Sequence, residues 1–182
     1  MSKKIIVLNG SPRPKGNTAA MISAFTEAAE ANGHEVERFD AAFHEVGGCH
    51  ACMRCYSEEG RACVFGEEFN RLAPRILEAD VIVFATPVYW YTLPAQIKEV
   101  LDKCFAFMIG EKDIAGKGYA TIICCEEDDM SVIDGARVPI ERSAALMKWN
   151  PVGHVLIPGV FNEGDIEKTD GCAQAAALGA SL

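Results

Sequence analysis

The stretch that decides the fold reads IIVLNGSPRPKGNT and covers residues 5–18. Its four leading apolar residues, Ile5–Leu8, are typical of a strand that is covered on both faces. The Gly- and Pro-containing loop that follows runs directly into an apolar stripe of helical spacing that begins near Asn17. A helix that starts in this way presents unpaired N–H groups and a partial positive charge, so the loop is a candidate anion site.

The same order of strand and helix continues along the chain. Short apolar runs predict further strands over residues 35–40, 81–85, 119–125 and 152–157, and helical stripes lie over 17–32, 69–76, 97–108, 132–149 and 170–182. Charged residues interrupt the second strand, which suits an exposed sheet edge. Right-handed crossovers between parallel strands place helices on both faces of the sheet. We therefore predict a three-layer α/β sandwich with a five-stranded parallel sheet of order 2-1-3-4-5, whose ligand crevice lies at the carboxyl ends of strands one and three.

Composition and charge limit the classes of function. The 182 residues suffice for one α/β domain, predicted as residues 1–182 with a cysteine-rich insertion at about 44–68. The net charge of -9 disfavours nucleic acid or an anionic membrane as the main partner. No signal peptide or membrane span is visible, so we expect a cytoplasmic protein. In that compartment the eight cysteines would be reduced, metal-bound or catalytic rather than paired.

The loop over residues 10–18, the phosphate loop, combines hydroxyl, amide and cationic side chains with two glycines that allow close backbone approach. A GxGxxG dinucleotide motif is absent, and no Gly-Lys-Ser/Thr follows as a Walker A loop requires. The loop thus suits one terminal phosphate. The alternative is an ordinary helix start capped by Ser or Asn after a Pro-rich turn. The candidate phosphate-binding residues are Ser11, Arg13, Lys15, Gly16, Asn17 and Thr18.

A second loop reads TPVYWYTLP over residues 86–94, the aromatic loop, and follows the third predicted strand. In the predicted strand order it lies across the crevice from the phosphate loop. Three consecutive aromatic residues in a Pro-bounded loop are unusual, because large rings normally belong in a core. A flat, amphipathic ligand ring needs such a wall. The alternative is that these side chains cover the sheet end or form a subunit contact.

Together the segments GSPR (10–13), GNT (16–18), TPVYW (86–90) and PAQIK (94–98) resemble the NADPH-dependent FMN reductase group of flavodoxin-like proteins, and in particular its branch of iron-sulfur flavoproteins. The resemblance implies a flavodoxin-like fold, a noncovalent FMN, NAD(P)H as co-substrate and a homodimer or homotetramer. Chemistry would lie on flavin N5, with no catalytic side chain. The phosphate would bind the six residues above, and the flavin ring would lie against Pro87, Val88, Tyr89 and Trp90. Family members also use the loop after strand four, here residues 124–127, which matches no family motif.

Four cysteines between the second strand and the second helix have the spacing C-x2-C-x2-C-x7-C: Cys49, Cys52, Cys55 and Cys63. Three thiolates at two-residue gaps can curl around one corner of an iron-sulfur cluster. A zinc site with four thiolate ligands is an alternative, although two separated C-x2-C pairs would suit zinc better than three cysteines plus one. Thiols or a redox disulfide without metal also remain open. The resemblance implies a [4Fe–4S] cluster on these four residues. Cys104, Cys124 and Cys125 are predicted to be inert small core residues.

These patterns favour an FMN-dependent NAD(P)H oxidoreductase that passes electrons to a quinone, a flavin, a metal or a small electrophile. The alternative is an iron-sulfur flavoprotein that carries electrons to and from ferredoxin-type partners. A third hypothesis is a redox or metal sensor whose four clustered cysteines switch a partner-binding surface.

Overall fold

Five parallel strands form the central sheet of the computed structural model, which describes residues 1–182 throughout. They are β1 (Lys4–Asn9), β2 (Glu35–Asp40), β3 (Val81–Pro87), β4 (Gly118–Cys124) and β5 (Asn150–Ile157). Their order is β2-β1-β3-β4-β5, and every neighbouring pair is parallel. The predicted fold class and strand order are therefore confirmed. β2 lies at one edge and is half exposed, as its interspersed charges predict.

Six α-helices cover the two faces of the sheet. They are α1 (Asn17–Ala31), α2 (Glu67–Glu78), α3 (Ala95–Lys103), α4 (Phe105–Ile109), α5 (Asp134–Leu146) and α6 (Gly171–Ala180). α1 and α6 pack together on one face, and the other four helices supply the core of the opposite face. This three-layer arrangement follows from the strand–helix alternation of the sequence.

Side-chain alternation along the buried strands divides the core into two clusters. In β1, Ile6 and Leu8 face α2–α5, whereas Ile5 and Val7 face α1 and α6. The same alternation holds in β3, where every residue from Val81 to Thr86 is buried. Strands buried on both faces need continuous apolar runs, which is why these strands were readable as such in the sequence.

The single helical stripe predicted over residues 97–108 is two helices in the structure. Cys104 separates α3 from α4, and its N–H is shared between the carbonyl oxygens of Val100 and Leu101. The Phe107 N–H then bonds back only three residues, to the Cys104 oxygen at 3.0 Å. This tightened turn interrupts the helix while Phe107 stays buried, so the apolar spacing alone did not reveal the break.

Residues 44–66, within the predicted cysteine-rich insertion, form an irregular segment between β2 and α2. Its only regular pairing is an isolated bridge between Glu58 and Arg61. Val46 and Ala62 anchor the segment in the larger core cluster. No helix of the structure has the length and apolar character needed to cross a membrane.

Gly179 of α6 allows this helix to approach α1 closely. A Cβ at this position would collide with the carbonyl oxygen of Phe25 and lie 3.1 Å from the N atom of Ala29. We expect Gly179→Ala to lower the free energy of unfolding by about 1–2 kcal/mol, because the backbone collision outweighs the gain in helix propensity. Urea denaturation followed by circular dichroism measures this change. Gly48→Ala is the matched control, since nothing lies within 4 Å of a Cβ there. Equal stability of the two variants would contradict the prediction.

Candidate cofactor site

A cavity of about 420 Å³ opens where β1, β3 and β4 end. It brings together the phosphate loop, the aromatic loop and the loops that follow β4 and β5. All the cofactor residues predicted from the sequence line it except Lys15, which is exposed outside the cavity. The full lining is Ser11, Arg13, Gly16, Asn17, Thr18, Pro87, Val88, Tyr89, Trp90, Cys124, Cys125, Glu126, Val160 and Phe161.

The phosphate loop is held by hydrogen bonds between its backbone N–H groups and nearby side chains. The Ser11 N–H donates to Asn9 Oδ1 at 2.9 Å, and the Arg13 N–H donates to Ser11 Oγ at 3.3 Å. The Asn9 amide is fixed in turn by Asp40 Oδ1 at 2.7 Å, at the end of the neighbouring edge strand. A Cβ on Gly10 would lie 2.6 Å from Thr86 Oγ1, so only glycine allows this loop to sit so close to β3. The loop is therefore rigid before any ligand arrives.

The N-terminus of α1 lacks the cap that the alternative interpretation requires. Gly16 occupies the N-cap position, no side chain bonds to the first turn, and that turn contains no acidic residue. Asn17 does not cap the helix, because its amide donates to the Asn162 oxygen at 3.0 Å and its Oδ1 accepts from the Ile166 N–H at 3.3 Å. An uncapped helix start in the wall of a cavity leaves N–H donors for an external anion.

The aromatic loop turns through a tight hairpin. The N–H groups of Tyr89 and Thr92 each donate to the other's carbonyl oxygen, at 2.9 and 3.0 Å. The two central residues, Trp90 and Tyr91, have φ values of 48° and 64°, a left-handed conformation that costs about 1–3 kcal/mol each for such residues. Gly135 at the start of α5 makes room for the Tyr91 carbonyl group, which a Cβ there would strike. Trp90 is 94% exposed, so it does not serve to cover the sheet end.

The loop after β4 supplies part of the lining that sequence reasoning left unassigned. Cys124 Sγ lies 3.4 Å from Thr18 Oγ1, and the Cys124 carbonyl oxygen accepts from the Val88 N–H at 2.9 Å. This residue therefore connects the phosphate loop to the aromatic loop. Val160 and Phe161 after β5 were missed, because one strand-flanking apolar pair carries no motif. Only the neighbouring Asn162, bonded to Asn17, shows why that loop approaches the cavity.

The four clustered cysteines lie at a separate place. Cys49, Cys52, Cys55 and Cys63 line one small cavity together with Phe65 and other residues of the same segment, and all eight cysteines of the chain are free thiols. Burial, followed by the charges of the three neighbouring thiols, raises the pKa of Cys55. No three His, Cys, Asp or Glu side chains converge on one point as a single metal ion requires.

The buried cysteines behave as the sequence analysis expects of core residues. Burial raises the pKa of Cys124, and burial with the charge of Glu127 raises the pKa of Cys125 to about 11. Burial also raises the pKa of Cys104 to about 12. All three thiols are thus protonated at neutral pH, whereas Cys49 and Cys52 are exposed.

These differences predict a pattern of alkylation. At pH 8, iodoacetamide should modify the exposed Cys49 and Cys52 of chelator-treated protein and leave Cys104, Cys124 and Cys125 unmodified, because burial shields these three thiols and raises their pKa values, which keeps the reactive thiolate scarce. Peptide mass spectrometry measures the modification. Urea-unfolded protein, in which all eight cysteines should react, is the control. Modification of Cys125 as fast as Cys49 in folded protein would contradict the prediction.

Sequence comparison finds iron-sulfur flavoproteins among the relatives of this chain. The chain is 34% identical over 107 residues to an iron-sulfur flavoprotein of Methanocaldococcus jannaschii, a match that covers 59% of this chain and 54% of the relative. It is 27% identical over 176 residues to an iron-sulfur flavoprotein of Archaeoglobus fulgidus, with 91% of this chain and 74% of the relative covered. The chain thus spans about half the length of the first relative and about three quarters of the second.

Structure comparison agrees with the fold. An NAD(P)H:quinone oxidoreductase from Methanothermobacter marburgensis superimposes with a TM-score of 0.78 at 20% identity, over 100% of this chain and 96% of that one. The family model for NADPH-dependent FMN reductase matches residues 3–133, which is well over half of the chain and includes the phosphate and aromatic loops. The chain therefore belongs to the NADPH-dependent FMN reductase family.

Proposed function

We propose that this protein is an FMN-dependent NAD(P)H oxidoreductase that passes electrons to a quinone, a flavin, a metal or a small electrophile. The observation that carries the proposal is the cavity with an uncapped helix N-terminus in one wall and an aromatic loop in another. A ligand that joins an anionic group to a flat ring would match these two features. The cavity volume of about 420 Å³ lies in the range of small-molecule sites.

The residues at the phosphate loop fit a phosphate group. The hydroxyls of Ser11 and Thr18 are buried but border the cavity, and the Arg13 guanidinium reaches it while donating to the Phe161 oxygen at 3.4 Å. We assign the FMN phosphate to Ser11, Arg13, Gly16, Thr18 and the first N–H groups of α1. Asn17 contributes as a brace for the loop after β5, and Lys15 contributes only long-range charge.

The residues of the aromatic loop fit the flavin ring. Pro87 and Val88 are partly buried at the end of β3, and Tyr89 is 39% exposed beside the open side of the cavity. Phe161, which is 53% exposed, also lines the cavity. One face of a bound ring would therefore contact protein, and the other would remain accessible to a nicotinamide or an acceptor.

Bound FMN would supply the redox chemistry by accepting a hydride at N5. The protein's part is to bind, orient and shield. None of the four histidines lines the cavity, and the titratable lining groups other than Arg13 and Glu126 are Tyr89, Cys124 and Cys125. Burial keeps both thiols protonated, so neither of them is set up as a strong base.

The cavity lined by the four clustered cysteines supports a second redox centre, an iron-sulfur cluster, as part of the proposed function. A zinc ion would need four sulfurs within about 2.3 Å of one point, whereas each cysteine of a [4Fe–4S] cluster binds a different iron. The four thiols share the lining of one cavity without converging on one point, which suits the second arrangement better than the first. The names of the two archaeal relatives point the same way. This centre favours the alternative function, an electron carrier for ferredoxin-type partners, because Met53 and Phe65 expose an apolar rim at the cavity.

Anaerobic turnover tests the proposed function. FMN-loaded protein mixed with NADH or NADPH should lose its visible flavin absorbance within about a second, because enzymes typically have a kcat of about 1 per second or more. Benzoquinone or free FMN should then restore it. If neither nicotinamide reduces the bound flavin but reduced ferredoxin does, the carrier function replaces the reductase. If the protein takes up no FMN at all, both are wrong.

A substitution at Thr18 tests the phosphate assignment. Thr18→Val keeps the volume but removes one hydroxyl donor, so FMN affinity should fall about tenfold, the equivalent of about 1.4 kcal/mol. Riboflavin, which lacks the phosphate, should bind the variant as well as it binds the natural protein. Fluorescence titration measures both affinities. Thr26→Val, on the same helix and outside the cavity, is the matched control. An equal loss for FMN and riboflavin would place Thr18 away from the phosphate.

A further inference from the structure

Lys103 is the only charged side chain among the buried residues of the protein, with 3% of its surface exposed. It is the last residue of α3, on the face that also buries Ile97 and Val100. Neither the FMN cavity nor the core explains an ammonium group there. Buried lysines are rare unless an opposite charge accompanies them.

No carboxylate lies within 4.0 Å of the Lys103 ammonium. Its one hydrogen-bond partner is Cys63 Sγ, at 3.5 Å. An ammonium without a counter-charge is costly to bury, and a neutral thiol is a weak acceptor. Negative charge at the Cys63 sulfur would offset the cost of burying the Lys103 ammonium beside it.

The surrounding backbone is shaped to keep this contact. A Cβ on Gly66, just before α2, would lie 2.5 Å from Lys103 Nζ and 3.4 Å from Cys63 Sγ, so the glycine leaves room for the ammonium. Asn70 on α2 holds Cys63 from the other side: the Cys63 N–H donates to Asn70 Oδ1 at 2.8 Å, and Asn70 Nδ2 donates to the Cys63 oxygen at 2.9 Å. Two helices thus fix the sulfur and the ammonium relative to each other.

We propose that Lys103 is the counter-charge and N–H donor of the iron-sulfur centre that Cys49, Cys52, Cys55 and Cys63 would hold, and that it raises the reduction potential of that centre. The proposal rests on the second redox centre of the proposed function. Four thiolates give such a centre net negative charge, and each added electron makes it more negative. A fixed positive charge and an N–H···S bond stabilise the more negative, reduced form. Lys103 is a positioning residue, since it acts on the ligand sulfur and touches no substrate.

The test compares potentials of four variants reconstituted anaerobically with iron and sulfide. Lys103→Met removes the ammonium, Lys103→Arg keeps the charge, and Gly66→Ala leaves Lys103 in place but pushes its Nζ away from Cys63. Lys98→Met is the matched control, because it removes the same charge from an exposed site on the same helix, where Lys98 pairs with Asp102. Iron and sulfide content, FMN content and the midpoint potential from redox titration by electron paramagnetic resonance are measured for each.

We expect Lys103→Met to shift the reduction equilibrium of the cluster at least tenfold toward the oxidised form, which is about 59 mV for one electron. Gly66→Ala should shift it in the same direction by less, and Lys103→Arg should restore most of the potential. Lys98→Met should match the natural protein. The FMN affinity should be the same in all of them.

Two results would overturn the inference, and they differ from each other. If the natural protein retains no iron and sulfide after reconstitution, the second redox centre of the proposed function is wrong and this inference falls with it. If the cluster forms but Lys103→Met and Gly66→Ala titrate at the same potential as Lys98→Met, the centre stands and the role of Lys103 alone is wrong. Should Lys103→Met fail to fold, Gly66→Ala decides between these results, because its folded backbone needs only a shift of a flexible side-chain end.

Discussion

The uncapped N-terminus of α1 is the constraint around which the site is arranged. β1 is buried on both faces, so its direction is fixed by its neighbours, and the chain must leave it at the carboxyl edge of the sheet. The phosphate loop then turns within a few residues into α1, whose first N–H groups face the cavity rather than a capping side chain. Those donors remain unsatisfied unless an anion or water occupies the cavity. Hydrogen bonds among residues 9–16 hold the phosphate loop in this position relative to α1.

The aromatic loop also holds an unfavourable local conformation next to the cavity. A hairpin turn with two left-handed residues normally uses Asn and Gly, yet here it holds Trp90 and Tyr91. The strain is maintained by the two hydrogen bonds between Tyr89 and Thr92 and by the bond from Thr92 Oγ1 to the Gly135 oxygen at 3.1 Å. Such strain persists where a large exposed ring has a use that a glycine could not serve. Trp90 is both 94% exposed and part of the cavity lining, so this strained turn presents its ring at the mouth of the candidate site.

Much of the fold could be predicted because parallel strands need continuous apolar runs, and such runs at residues 5–8 and 81–85 stand out from the helical stripes around them. The predicted loops were found at one cavity for a related reason, since the carboxyl ends of parallel strands share an edge.

The break at Cys104 was missed because both helices keep the apolar spacing. Phe161 was missed because its place in the site depends on the contact of Asn162 with Asn17, a long-range contact that local pattern cannot contain. Lys103 was missed too, because its burial depends on the packing of α3 against the cysteine segment and leaves no mark in the sequence.

One short helix connects the two candidate redox sites. α3 begins directly after the aromatic loop and ends at Lys103, whose ammonium contacts Cys63. Its nine residues make it roughly 13 Å long, from the rise of an α-helix. The same helix is packed against the phosphate loop, where Ile97 leaves room only for a glycine at position 10. A displacement of α3 would therefore change contacts at the phosphate loop, at the aromatic loop and at the cysteine cavity together. The break at Cys104 ends α3 at Lys103, the residue that contacts the Cys63 sulfur, and Phe105 at the start of α4 lines the cysteine cavity.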